Sequence, residues 1–168
     1  MAHDPGSVSV DAQAAGFGMI AGMRTQLPLA LLALAASRGR FADGSEAPLS
    51  LLRSPVVARV LALSAAGELI VDKLPFTPSR LDPGPLFGRL LIGGVAGAAI
   101  TAEARDSAVL GAALGAAGAF VGAQSGYHAR AWLGRATDVP DPVWGAVEDA
   151  TAIALGLLLL REHSSSWL

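Results

Sequence analysis

Five apolar stretches separated by short polar turns leave this chain few ways to fold. They run over about residues 14–36, 54–74, 86–102, 107–132 and 143–160. Each is near the roughly 17–25 residues that a helix needs to cross the hydrocarbon of a bilayer. The connections "SRGRFADGSEAPLSLLR", "PFTPSRLDPGP", "EARD" and "GRATDVPDP" carry the Gly, Pro and Asp of turns, and none could hold a soluble domain. In lipid every backbone N–H and C=O must be satisfied within the chain, so spanning segments of this length are helices. The expectation is an all-α polytopic membrane protein of about five transmembrane helices. It forms a single domain over 1–168, with a polar N-terminal tail at 1–13 and a C-terminal tail at 161–168.

Composition agrees with that solvent. Charged residues make up 15% of the chain, against about 25% in soluble domains. Of the 20 glycines, nine are placed at helical intervals: Gly111, Gly115, Gly118, Gly122 and Gly126 in the fourth stretch, Gly93 and Gly97 in the third, Gly18 and Gly22 in the first. Residues three or four apart share a helix face, and a face of glycines lets a neighbouring backbone approach closely. Gly22, Gly115, Gly118, Gly122 and Gly126 are therefore expected to be helix-packing positions. The fourth-stretch series is also expected to join two copies of the chain as a homodimer. There is no cysteine, the three histidines are scattered and the net charge is −2, so thiol chemistry, a zinc site and nucleic-acid binding are not expected.

Arg24 followed by "TQLPLALLALAAS" has the order of a secretory signal peptide. The segment before it is long, acidic and itself apolar from Ala14, so the stretch is expected to stay in the protein as its first span.

The embedded charges are not scattered. Threading five antiparallel spans places the N-terminus, the second-to-third connection and the fourth-to-fifth connection on one side. Glu68, Asp72 and Lys73 close the second span on that side, and Arg89 opens the third. Tyr127, His128 and Arg130 close the fourth, while Glu148 and Asp149 open the fifth. At 1.5 Å per residue, Glu68 and Glu148 lie about 9–10 Å below this boundary and Arg24 about 13 Å. A charge at the bilayer centre costs about 2.5–3.5 kcal/mol even on the lenient insertion scale. These groups must therefore pair, reach water or bind an ion. Glu68 and Asp72 share a helix face. Glu148 and Asp149 diverge by about 100°, so one of them is expected to face inward. Arg24 cannot lose its charge and is expected to contact at least one of Glu68, Asp72 and Glu148. Lysine and arginine number six on each side, so the positive-inside rule assigns no orientation.

The segments "AGMRTQLPLALLALA" (21–35), "GELIVDKLP" (67–75) and "VEDATAIALG" (147–156) resemble the bacterial integral-membrane family known as domain of unknown function 4126. The matching positions are Gly22, Arg24, Glu68, Asp72, Lys73, Pro75, Glu148 and Asp149. The resemblance implies a multi-pass protein of the bacterial inner membrane with shared polar positions. It implies no activity and names no cofactor.

Three classes of function fit these features. The first is a small transporter or channel with a polar vestibule in one leaflet, coupled to protons or cations. Its binding or transport residues would be Arg24, Glu68, Asp72, Lys73, Tyr127, Arg130, Glu148 and Asp149, with a small ion or molecule as ligand. The second is a non-catalytic membrane scaffold or partner subunit in which the charges are structural. The third is an enzyme on lipid-linked substrates whose carboxylates hold a divalent metal; no nucleophile motif or phosphate-cradling loop supports it. No catalytic residue and no metal ligand is assigned.

Overall fold

The structure is a computed structural model and describes residues 8–41, 49–71 and 79–165. Helices α1 (Val10–Met23), α2 (Leu27–Ala36), α3 (Leu49–Leu52), α4 (Pro55–Val71), α5 (Pro83–Glu103), α6 (Ala108–Ala136) and α7 (Asp141–Ser165) follow one another, with no strand among the described residues. Local chemistry sets several of the starts. The Ser9 hydroxyl accepts from the Ala12 N–H ahead of α1, and Ser107 caps α6 through the Leu110 N–H. Prolines stand in the first turns of α2, α5 and α7, where a missing N–H costs nothing.

The first apolar stretch departs from expectation. It is two helices, broken at Arg24, whose backbone is extended at φ −140° and ψ 109°. Pro28 explains the position of the break: it has no N–H to bond the Arg24 carbonyl, and its ring disfavours helix at that turn. The chain also reverses there. Along α1, Gly16 faces Leu159 of α7 and Arg24 faces Asp149. Along α2, Leu31 has returned to Gly156, which Ile20 of α1 also approaches. Had α2 continued in line, Leu31 would lie about 10 Å beyond Arg24. Val10–Ala36 is thus a re-entrant helical hairpin with its tip inside the bundle. Both of its feet stand at the end of the bundle where α7 finishes (the lower end), opposite the end to which the N-terminus was threaded.

Helices α5, α6 and α7 are long and apolar enough to cross a membrane. The count of five spans is not confirmed: the first stretch is a hairpin of 14 and 10 residues, and α4 is described over 17 residues. Polarity is inside-out relative to a water-soluble bundle. Arg24, Gln13, Thr101 and Glu148 are buried, while Leu63, Ile70, Val109 and Leu158 stand exposed on the outer faces. Large contiguous apolar surface of this kind suits lipid.

Glycines set the spacing of the centre. On α6, Gly111 and Gly115 meet α5 at Gly97 and Gly93, backbone against backbone, and Gly118 and Gly122 meet α1 at Ala15 and Met19. Gly22 of α1 lies on the Ala119 carbonyl. The neighbours of Gly111, Gly115, Gly118 and Gly122 thus belong to the same chain, with α5 covering the first two and α1 the second two.

Candidate functional site

The tip of the hairpin leaves two sets of unsatisfied backbone groups inside the bundle, the last carbonyls of α1 and the first amides of α2. Each set meets a charged side chain of the appropriate sign. Nη1 of Arg89, near the start of α5, donates to the Gly22 carbonyl at 3.0 Å and the Ala21 carbonyl at 3.5 Å. The Glu68 carboxylate of α4 accepts from the Thr25 N–H at 2.6 Å and the Gln26 N–H at 2.8 Å, one oxygen each. A cation at a helix C-terminus and an anion at a helix N-terminus are the arrangements that the helix dipole favours.

Between these ends sits Arg24, 1% exposed. Its Nε donates to Asp149, and its Nη2 lies 3.7 Å from a Glu148 oxygen and 3.4 Å from the Gly145 carbonyl that accepts from it. Nη1 donates to the Met23 carbonyl at 3.0 Å. Glu148 is the hub. Arg80, from the connection before α5, binds both of its oxygens, with Nη2 donating to Oε2 at 3.0 Å, and Nη1 of Arg130 stands 3.7 Å away. Arg130 also pairs with Asp141, its Nε donating at 3.2 Å. The network thus grades outward from buried Arg24 to Asp141, whose side chain is 64% exposed. Gly126 makes room for it: a methyl group there would stand 2.6 Å from a Glu148 oxygen and 2.7 Å from Arg80 Nη1. Gly126 is therefore the floor of the ion cluster more than a helix seam.

Arg24 contacts Glu148, as expected, but its hydrogen-bonded partner is Asp149. Glu148 and Asp149 are both buried, because cations lie on two sides of α7, Arg24 at the hairpin tip and Arg80 with Arg130 on the other flank. Glu68 belongs to the site through the α2 amides. Tyr127 does not join the cluster: it points outward, 100° around α6 from Gly126, and packs edge-on against His128 at 5.3 Å. Asp72 and Lys73 lie outside the described residues.

Arg80, Arg89 and Asp141 carry as much of the site as the residues named from sequence. Arg89 had a signal: it precedes Gly93 and Gly97 by four and eight residues, on the face that α5 turns to α1 and α6. Arg80 sits in a turn, where no periodicity marks direction. Asp141 reads as an ordinary acid at a helix start.

Fold and site define an all-helical protein with membrane-compatible outer surfaces, built on a re-entrant hairpin whose tip is held by buried ion pairs. The chain belongs to the family described as Domain of unknown function (DUF4126), whose model matches residues 12–161. No curated protein and no solved structure matches it.

Proposed function

We propose that the chain is a small multi-pass transporter or channel of the bacterial cell membrane, coupled to protons or cations, with the Arg24 cluster as its closed gate. The observation that supports this reading is the broken first helix. Transporters place substrate and coupling-ion sites where discontinuous helices present free carbonyls and amides near the middle of the membrane. Here both sets of ends lie at the tip of one hairpin, and Arg89 and Glu68 occupy them. Opening would move Glu68 off the α2 amides and part Arg24 from Asp149, uncovering paired cationic and anionic groups along one path.

A second reading, a non-catalytic membrane scaffold, is favoured by the charge balance. Among the described residues of the cluster, Arg24, Arg80, Arg89 and Arg130 stand with Glu68, Asp141, Glu148 and Asp149, four charges of each sign.

Flux separates the two. Purified protein in proteoliposomes under an imposed proton, sodium or potassium gradient should dissipate at least one of them faster than protein-free vesicles. Asp149→Asn should change that rate at least severalfold, because it loosens the gate. Vesicles that stay as tight as the protein-free control under all three gradients would leave the scaffold reading in its place.

A further inference from the structure

One groove of the molecule lies beside the ion cluster and shares Gly126, Arg130 and Glu148 with it. Helices α6 and α7, both of membrane-crossing length, stand apart near their upper ends and leave a cleft of about 230 Å³. Met23, Ala129, Leu133, Trp144 and Val147 line it, and the lining is overwhelmingly apolar. On α6 it extends from Ser125 to Leu133 and on α7 from Trp144 to Thr151, a length of about 11–12 Å. A slot of that length and volume, with apolar walls from two helices, suits one extended hydrocarbon chain. The cleft is smaller than the roughly 300–1,000 Å³ that encloses a drug-sized ligand.

The charged groups in the lining are Arg130 and Glu148, and their partners bear on what sign of ligand fits. Arg24, Arg80 and Arg130 converge on Glu148. Arg130, 21% exposed, has Asp141 as its hydrogen-bonded partner, and that carboxylate is mostly in solvent. A water-exposed ion pair is worth little. If Asp141 turns outward, Arg130 at the edge of the apolar slot keeps only its 3.7 Å approach to Glu148, a carboxylate that Arg24 and Arg80 also neutralise. Guanidinium recognises phosphate through paired hydrogen bonds, and basic positions between transmembrane helices bind lipid head groups.

We infer that the α6–α7 cleft is a binding site for one anionic phospholipid of the surrounding bilayer. Its phosphate replaces Asp141 on Arg130, and the first part of one acyl chain lies along Ala129, Val147 and Trp144. The inference does not depend on transport.

Trp144 lines the cleft, so its fluorescence reports occupancy. The full chain carrying Trp132→Phe and Trp167→Phe keeps Trp144 as its one indole. It is placed in phosphatidylcholine vesicles with a rising fraction of phosphatidylglycerol brominated on its acyl chains. Quenching should saturate at a few mole percent. Ala129→Leu, which fills the slot without touching a charge, should abolish the saturable phase. Arg130→Gln should raise the half-saturating fraction about tenfold or more, the range for one charge-assisted hydrogen bond. Brominated diacylglycerol, which has no phosphate, should give no saturable phase. Quenching of the parent protein that merely follows mole fraction, as bulk lipid contact would, overturns the site. So does a saturable phase that survives Ala129→Leu. Equal saturation by diacylglycerol overturns the role of phosphate, and relief of quenching by millimolar inorganic phosphate overturns the assignment to a lipid.

Discussion

Replacing Gly115 by alanine tests whether the centre of the bundle is set by backbone contact. A methyl carbon at Gly115 would overlap the Gly93 carbonyl oxygen and stand 2.9 Å from its carbon and 3.1 Å from Gly97 Cα. Carbon atoms pack best at about 3.5–4.0 Å, so α5 and α6 would have to separate by up to about 1 Å. No flexible side chain can give way instead, because the obstructing atoms are backbone. A gap of 0.5–1 Å forfeits about a quarter to a half of each dispersion contact along the seam. Overpacking of this kind costs about 1–3 kcal/mol, and the rigid neighbours place Gly115→Ala at the upper end. Alanine's helix preference over glycine returns about 0.8–1 kcal/mol, leaving a net loss of about 2 kcal/mol. Gly134, on the same helix, has nothing within 4 Å of a methyl group. Gly134→Ala should therefore be neutral or slightly stabilising. For a chain of this size each kcal/mol moves the melting point by about 2–4 °C, so thermal unfolding followed by circular dichroism in detergent should separate the two variants by about 5–10 °C. Equal melting points would refute backbone contact at this seam.

The remaining predictions concern the hairpin tip. Arg24→Gln and Asp149→Asn should each cost about 3–5 kcal/mol, because either breaks the buried Arg24–Asp149 pair; the double variant should cost clearly less than their sum in denaturant titration, and simple additivity would dissolve the pairing. Glu68→Ala removes the acceptor for two amides, so hydrogen exchange at Thr25 and Gln26 should quicken by at least tenfold, since hydrogen bonds to charged groups are worth about 1.5–3 kcal/mol. Unchanged exchange at both residues would detach Glu68 from the α2 N-terminus.

The sequence carried the all-helical fold class, because it follows from length and periodicity. It carried the need for a partner at Arg24, because a guanidinium in lipid cannot neutralise itself. The reversal at Arg24 was concealed by composition: residues 14–36 are apolar apart from Arg24, Thr25 and Gln26, so hydropathy reads them as one span. Pro28 was the local sign of a break, and proline also occurs inside kinked but continuous spans. The inward turn of both Glu148 and Asp149 was not legible. Facing directions on α7 depend on which neighbours bring cations, and Arg80 arrives from a turn with no pattern of its own.

The distance along the chain between Arg24 and its partners has a consequence for biosynthesis. Asp149 follows Arg24 by 125 residues, and α1 is enclosed by α5, α6 and α7. At about 5–20 residues per second, the ribosome needs roughly 6–25 s to deliver that partner. Throughout that interval the arginine has no counter-charge from α7, and a segment carrying it is costly to leave in hydrocarbon. The hairpin segment, made before α5, α6 and α7, can therefore complete its packing and its ion pairs only once those helices have formed its socket.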